Sequence, residues 1–267
     1  MDGEGLGRKP HRYFLLGCAD GDYIERRSGL RTAECLDFLC DLGTRDARLC
    51  GYYLSYDWSM IILRDMPDDL IHKLLRPELR ARPKDEGGGF HWVYWGDYRL
   101  HFLATAMWIG RGKERAVAVW DLGNYYQGRF IDALKAWEIA PDVQAHIEEM
   151  KKKRATFKWS QRKKIRDYCL EECRALSELA THLEQAHDNA NIHPRSWHGP
   201  GSTAGALLAR HSIGERRGAH PEQVQAAACV AFFGGRAEIS CSGKVDQPVH
   251  AMDITSAYPI TLRTCRV

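Results

Sequence analysis

An α/β fold is predicted over roughly residues 1–190, and three patterns predict it. Short apolar runs of strand character come first and alternate with helix-period segments. The dipeptide Gly96-Asp97 stands between two strand-like runs, a hairpin signature. One long segment, Ser160 to about His187, carries an uninterrupted apolar stripe at helical spacing.

Taken in chain order, Arg12 to Cys18 reads as a strand and Asp20-Gly21-Asp22 as the turn that ends it. Thr32 to Leu42 reads as a helix, with Thr32 as the expected N-cap and Gly43 as the stop. Leu49 to Tyr56 is a second apolar strand, followed directly by a helix from Asp57 to about Arg64. Lys84 to Gly89 is acidic and glycine-rich, and reads as a loop. The hairpin arms are Phe90–Trp95 and Tyr98–Leu103; a further strand, Ala116–Trp120, precedes a helix over Phe130–Trp137. In the long helix the stripe is Ile165, Cys169, Cys173, Leu176, Leu179 and Leu183, with Ser160 as the expected N-cap. Asn189 to Ser202 is rich in His, Pro and Gly and marks a boundary. Its Gly199-Pro200-Gly201-Ser202-Thr203 lacks the lysine of a phosphate-binding loop, so it reads as a helix start at Ser202.

Composition narrows the function. At 267 residues and 44% hydrophobic, the chain can bury one large core or two smaller ones. A net charge of +3 does not by itself announce a nucleic-acid partner. Locally, Lys151 to Arg154, Lys158, Arg162 to Lys164 and Arg166 place nine cations within sixteen residues, a solvated helix face or a phosphate-contacting one. The odd count of nine cysteines at irregular spacing argues for a reducing compartment and small core thiols. Neither Cys35/Cys40 nor Cys169/Cys173 has zinc-site spacing. His182, His187, His193 and His198 recur too loosely to predict a metal site. No apolar run reaches the ~20 residues of a membrane span, and no secretory signal opens the chain.

The most specific pattern is Val249-His-Ala-Met-Asp253-Ile-Thr-Ser256-Ala-Tyr258-Pro259. An apolar run delivers one carboxylate to a strand end, and a turn sets a hydroxyl and a ring beside it, as a nucleotidyl-transfer site requires. Aspartate-any-any-Ser-any-Tyr-Pro resembles the first palm motif of family B DNA polymerases, most closely the protein-primed type of phages, linear plasmids and organelles. Phe232-Phe233-Gly234-Gly235-Arg236 resembles that family's Tyr-any-Gly-Gly connector, with Phe232 for the usual Tyr; Gly235 lies eighteen residues before Asp253. A glycine pair is also what an ordinary turn or bulge uses. The resemblance implies that Asp253 ligates polymerase metals, that Ser256 and Tyr258 contact the nucleotide, and that Phe232, Gly234 and Gly235 contact DNA.

It also implies a 3′–5′ exonuclease domain upstream, of ribonuclease H-like fold, with four carboxylates on two Mg²⁺ or Mn²⁺ ions. Asp2-Gly3-Glu4 matches the first element, Asp-any-Glu; residues two apart on a strand share a face. Asp20/Asp22/Glu25 is a weaker alternative, and acidic N-terminal tails are often disordered. The second element resembles Leu54-Ser55-Tyr56-Asp57, without the usual asparagine; Tyr53 or Ser55 stands near its place. Asp57 would ligate metal and Tyr56 contact DNA; a carboxylate there could instead simply cap its helix. The third element, Tyr-any-any-any-Asp, is matched by Tyr168 and Glu172, one helical turn apart, with Glu replacing Asp. Read by resemblance, Asp2, Glu4, Asp57 and Glu172 are the metal ligands and Tyr168 stands beside them; a surface Tyr–Glu pair is the plain alternative.

The expected organisation is therefore an exonuclease-like domain (1–190), a connecting segment (191–225) and the opening of an incomplete polymerase palm (226–267). The implied partners are single-stranded DNA 3′ ends, deoxynucleotides in a full-length protein, and a terminal priming protein; no membrane is expected. The implied setting is cytoplasmic, phage-, plasmid- or prophage-encoded, or organellar. With fourteen residues after Asp253, no complete polymerase site is expected, and the chemistry should lie around Asp57 and Glu172. The alternative is a non-catalytic remnant that binds single-stranded DNA.

Overall fold

The computed structural model describes residues 1–7, 11–45, 48–81, 89–212 and 223. The chain divides into two units, Met1–Glu215 and Arg216–Val267, and all described residues but Gln223 lie in the first. Asp253, Ser256, Tyr258, Phe232, Gly234 and Gly235 lie outside the described residues.

The first unit is mixed α/β. Strands β1 (Asp2–Leu6), β2 (Arg12–Gly17) and β3 (Tyr23–Glu25) form an antiparallel sheet in that order. Five more strands follow: β4 (Leu49–Gly51), β5 (Val93–Trp95), β6 (Tyr98–Leu103), β7 (Ala106–Arg111) and β8 (Val117–Asp121). They form a mixed sheet in the order β4-β8-β7-β6-β5, in which only β4 and β8 run parallel. The Met1 amine donates to the Cys50 carbonyl at 2.5 Å, so the start of β1 lies against β4.

The strands feed two cores, and a bulge in β2 opposite Glu4 and Gly5 breaks the alternation so that Phe14 and Leu15 join the same one. Tyr13 and Leu16 of β2 join one core with helices α1 (Thr32–Leu42), α2 (Ser55–Ile62) and α3 (Asp68–Leu75). Phe14 and Leu15 join the other with α5 (Phe130–Ala136), α6 (Pro141–Lys153) and α7 (Arg162–Asn189). A short α4 (Gly123–Tyr126) leaves β8, and α8 (Pro200–Arg210) is the last described helix. The predicted stripe of α7 is buried from Ile165 to Leu179, and Leu183 packs at its margin. Its Cys169 and Cys173 thiols reach the Asp2 and Gly17 carbonyls at 3.5 and 3.4 Å, pressing the helix onto β1 and β2.

Several local expectations are corrected. Thr32 is the first helical residue, not the cap: the N-cap is Arg31, whose amide donates to the Glu34 carboxylate at 3.0 Å, while the Thr32 hydroxyl donates to Ile61 O. The strand expected over Leu49–Tyr56 stops at Gly51, and α2 starts at Ser55. Tyr53, at φ +52°, turns the chain between them. The long helix starts at Arg162 rather than Ser160, because Trp159–Gln161 form a 3₁₀ turn first. α8 starts at Pro200, since proline suits the first helical position and Gly199 takes φ +137° before it. The N-terminal carboxylates are no loose tail: Asp2–Leu6 is a strand, and Glu4 is buried. Among the described residues no helix is long and apolar enough to cross a membrane.

Candidate metal centre

Three elements from distant parts of the chain bring their carboxylates together. β1 places Asp2 and Glu4 on one face, and the middle of α7 places Glu172 opposite them. The three carboxylates come within 4.8 Å of one another. Asp57 enters from α2, where it is the third residue of the helix. It does not cap that helix; its Oδ1 accepts a hydrogen bond from the Tyr13 hydroxyl at 2.8 Å. The Tyr168 hydroxyl donates to Glu172 Oε2, as one helical turn of separation allows. Tyr168, Glu4, Asp57 and Glu172 are all buried.

Gly3 explains how Tyr13 reaches Asp57. A Cβ at Gly3 would lie 1.8 Å from the Tyr13 hydroxyl, so the phenol crosses β1 where there is no side chain. The glycine inside Asp2-Gly3-Glu4 is thus a steric requirement of the bond to Asp57.

Electrostatics mark the cluster as unusual. Burial and then the Glu172 charge raise the Asp2 carboxyl to about 6, despite Arg154 nearby. Burial and then Asp2 raise Asp57 to about 8. Burial pushes Glu4 well up against the opposing pull of Arg154, and pushes the Tyr168 phenol up, with Glu172 next in effect. Such clustering of perturbed acids is typical of functional sites, although ion-pair networks produce it too.

Two cations that the sequence places only in a basic run turn inward. Arg154 Nη2 lies 2.8 Å from Glu4 Oε1, 3.1 Å from Glu172 Oε2 and 3.5 Å from Asp2 Oδ2. Burial disfavours its charge, but Glu4, Asp2 and Glu172 together hold its pKa above the ordinary arginine value. Lys151 Nζ lies 2.6 Å from Glu172 Oε1 and 4.8 Å from the centre of the Phe130 ring. The run from Lys151 to Arg154 is therefore not simply a solvated face. Lys151 lies in the last turn of α6, and Arg154 opens the 3₁₀ turn behind it.

The acids open onto a cleft of about 510 Å³. Tyr52, Tyr53, Tyr56 and Phe130 give it aromatic walls, and Arg129 and Lys152 add positive charge. Tyr53 and Tyr56 are both exposed, and Tyr56 stacks edge-on with Tyr13. Of the predicted residues, Asp2, Glu4, Asp57, Tyr56, Tyr168 and Glu172 thus share one locality. The alternative first element does not join it: Asp20 and Asp22 pair with Arg45, and Glu25 faces Arg162 and Arg166. The histidines serve packing and turns. His187 contacts Leu183 O and Thr203, and His198 contacts Thr105. The six described cysteines carry free thiols.

Three donor features suit a divalent cation. The ligands are hard carboxylate oxygens, three of them lie close together, and Asp2 Oδ2 is buried with no hydrogen-bond donor among the described residues, Arg154 Nη2 standing 3.5 Å away. Sequence reading missed Tyr13, Lys151 and Arg154 as site residues, and Asp121, whose carboxylate grips the turn before α2. Compared with protein families, curated proteins and solved structures, the chain matches none.

Proposed function

We propose that the first unit is a 3′–5′ exonuclease acting on single-stranded DNA ends, of the ribonuclease H-like type that accompanies family B DNA polymerases. One observation carries this reading: the β1 and α7 carboxylates lie within 4.8 Å of one another with Tyr168 bonded to Glu172, and Asp57 of α2 lines the same aromatic, basic cleft as Asp2 and Glu172. Further support comes from the antiparallel β1-β2-β3 order, with β4 lying against the start of β1 and α7 crossing both. The motifs at Asp253, Ser256 and Tyr258 and at Phe232, Gly234 and Gly235 belong to the same proposal. So do the division at about residues 190 and 225 and a DNA polymerase context.

Asp2, Glu4, Asp57 and Glu172 would hold two Mg²⁺ or Mn²⁺ ions. When bound, such ions activate a water and stabilise the leaving oxygen of a phosphodiester. The chain's own residues do the rest. Tyr168 fixes the Glu172 carboxylate through its hydroxyl, so that phenol and carboxylate can converge on one water. Tyr13 orients Asp57 in the same manner. The exposed rings of Tyr53 and Tyr56 offer faces on which unpaired bases stack, and Arg129 and Lys152 lie where a phosphate backbone would run. Because stacking is indifferent to base identity, the expected substrate is single-stranded DNA of any sequence.

The test is release of mononucleotides from a 3′-labelled single strand with Mg²⁺ or Mn²⁺. Asp57→Ala is expected to lower the rate by about 10²-fold or more, because even small misplacements of such a group cost that much. Undiminished release in Asp57→Ala would place any nuclease activity elsewhere.

One observation favours a second reading, a non-catalytic protein that binds single strands: Arg154 and Lys151 already satisfy Glu4 and Glu172. Salt-sensitive binding of oligonucleotides, with no cleavage in either metal, would select it.

A further inference from the structure

We infer that Asp121 is a positioning residue for the metal-binding acid Asp57, gripping the turn that starts α2; the metal consequence rests on the exonuclease reading above. Asp121 is the last residue of β8, in parallel register with Gly51 of β4. It is buried, yet among the described residues its carboxylate meets no cation. Instead it accepts three backbone N–H groups. Tyr53 N and Gly123 N donate to Oδ1 at 2.8 and 2.9 Å, and Leu54 N donates to Oδ2 at 2.9 Å. Below them, Leu122 N donates to Gly51 O at 2.9 Å.

The grip matters because α2 has no cap of its own. Its N-cap residue is Leu54, with no side chain able to accept a hydrogen bond. The first amides of a helix need acceptors, and a carboxylate there also suits the positive end of the helix dipole. For the N-cap amide, Leu54 N–H, Asp121 supplies that acceptor from another strand. It also holds Tyr53 at φ +52°, a conformation costly for a residue with a side chain. Gly123 completes the device: a Cβ there would come within 2.6 Å of the Tyr53 ring. Tyr56 and Asp57 follow within one helical turn, so the direction of the Asp57 carboxylate depends on how Asp121 seats the turn. Tyr13 holds Asp57 from the opposite side.

Asp121→Asn is the probing substitution. It keeps Oδ1 for Tyr53 and Gly123 but turns an amide NH₂ towards Leu54 N–H. Three measurements on the full chain decide the matter: hydrogen exchange in the peptide spanning Tyr53 to Asp57, Mn²⁺ affinity by titration calorimetry, and mononucleotide release. Exchange of that peptide is expected to quicken, and Mn²⁺ affinity to fall about 10- to 100-fold, as for loss of a residue that orients a ligand. In an Asp57→Asn background, Asp121→Asn is expected to add no further loss of Mn²⁺ affinity; a merely structural role would give additive losses. Wild-type exchange in Asp121→Asn, or additive losses, would overturn the assignment. Should Asp121→Asn fail to fold, Gly123→Ala approaches the same turn with the carboxylate intact; unchanged exchange there overturns it equally. If the wild-type chain neither binds Mn²⁺ nor releases nucleotides, the exonuclease reading fails with the metal consequence, and exchange alone decides whether Asp121 sets the turn.

Discussion

Asp57 is a buried acid whose charge is opposed by burial and by Asp2, and whose chief partner is a neutral phenol. That predicts how the metal-free protein responds to pH. The folded carboxyl titrates near 8, and Asp2 near 6, whereas unfolded aspartates titrate near ~4. Between those limits the folded state binds more protons than the unfolded one, so stability falls as pH rises. The contribution is fully present below about pH 4 and is lost as pH passes through the folded values. In EDTA, the urea midpoint should therefore decline from about pH 4 to about pH 8. Asp57→Asn, which keeps an oxygen for the Tyr13 hydroxyl, should make the decline between pH 6 and 8 shallower, leaving the share of the other raised acids, Asp2 and Glu4. A variant with the wild-type slope between pH 6 and 8 would show that Asp57 is ordinary. The acids themselves were legible in sequence only through short patterns, each with a plain structural alternative. Tyr13 was not legible at all, since nothing near it in sequence suggests that its hydroxyl crosses a glycine to reach Asp57.

The strand pair β1–β2 turns that crossing into a constraint. Gly3→Ala puts a methyl group where the Tyr13 hydroxyl lies, 1.8 Å away. The phenol must move and give up its hydrogen bond to Asp57. Overpacking a buried site of this kind costs roughly 1–3 kcal/mol, and chemical denaturation should show a loss of that size. Tyr13→Leu in the Gly3→Ala background should recover part of it, because both the hydroxyl and the ring carbons that meet the new methyl are gone; no recovery would mean that the strain lies elsewhere. Other elements were more readable. The bounds of α1 follow from the spacing of Cys35, Leu36, Leu39 and Cys40, and the hairpin of β5 and β6 from Gly96-Asp97. β7 escaped because Ala104-Thr105 turns the chain without Gly, Pro or Asn. α6 escaped because its lysine-rich end dilutes the apolar period, and its only buried residues are Ile147 and Met150.

Across the whole unit, the acidic centre is assembled from positions about 170 residues apart in sequence, Asp2 and Glu172, so its counter-charges could not be read locally. Arg154 meets Glu4 from 150 positions away. A run of basic residues looks alike in sequence whether it faces solvent or a buried acid. This arrangement makes a prediction about metal linkage. Without divalent ions, Arg154 offsets part of the repulsion among Asp2, Glu4 and Glu172. A divalent cation bound by the same oxygens would take over that role, so guanidinium and metal compete. A ligand that binds only the folded state at 100 times its Kd stabilises by about 2.7 kcal/mol, worth roughly 5–10 °C in Tm for a chain of this size. Mg²⁺ should raise the wild-type Tm by about that much at saturating levels. Arg154→Met should melt lower than wild type in EDTA at pH 8, where the acids carry most charge. Losing one partner of a buried pair costs up to about 3–5 kcal/mol, and the partial exposure of Arg154 reduces that figure. The same variant should gain more from Mg²⁺ than wild type does, because no guanidinium has to be displaced. Thermal melts of both proteins across a Mg²⁺ titration measure this directly. A smaller metal-induced gain in Arg154→Met than in wild type would show that Arg154 assists the metal rather than competing with it.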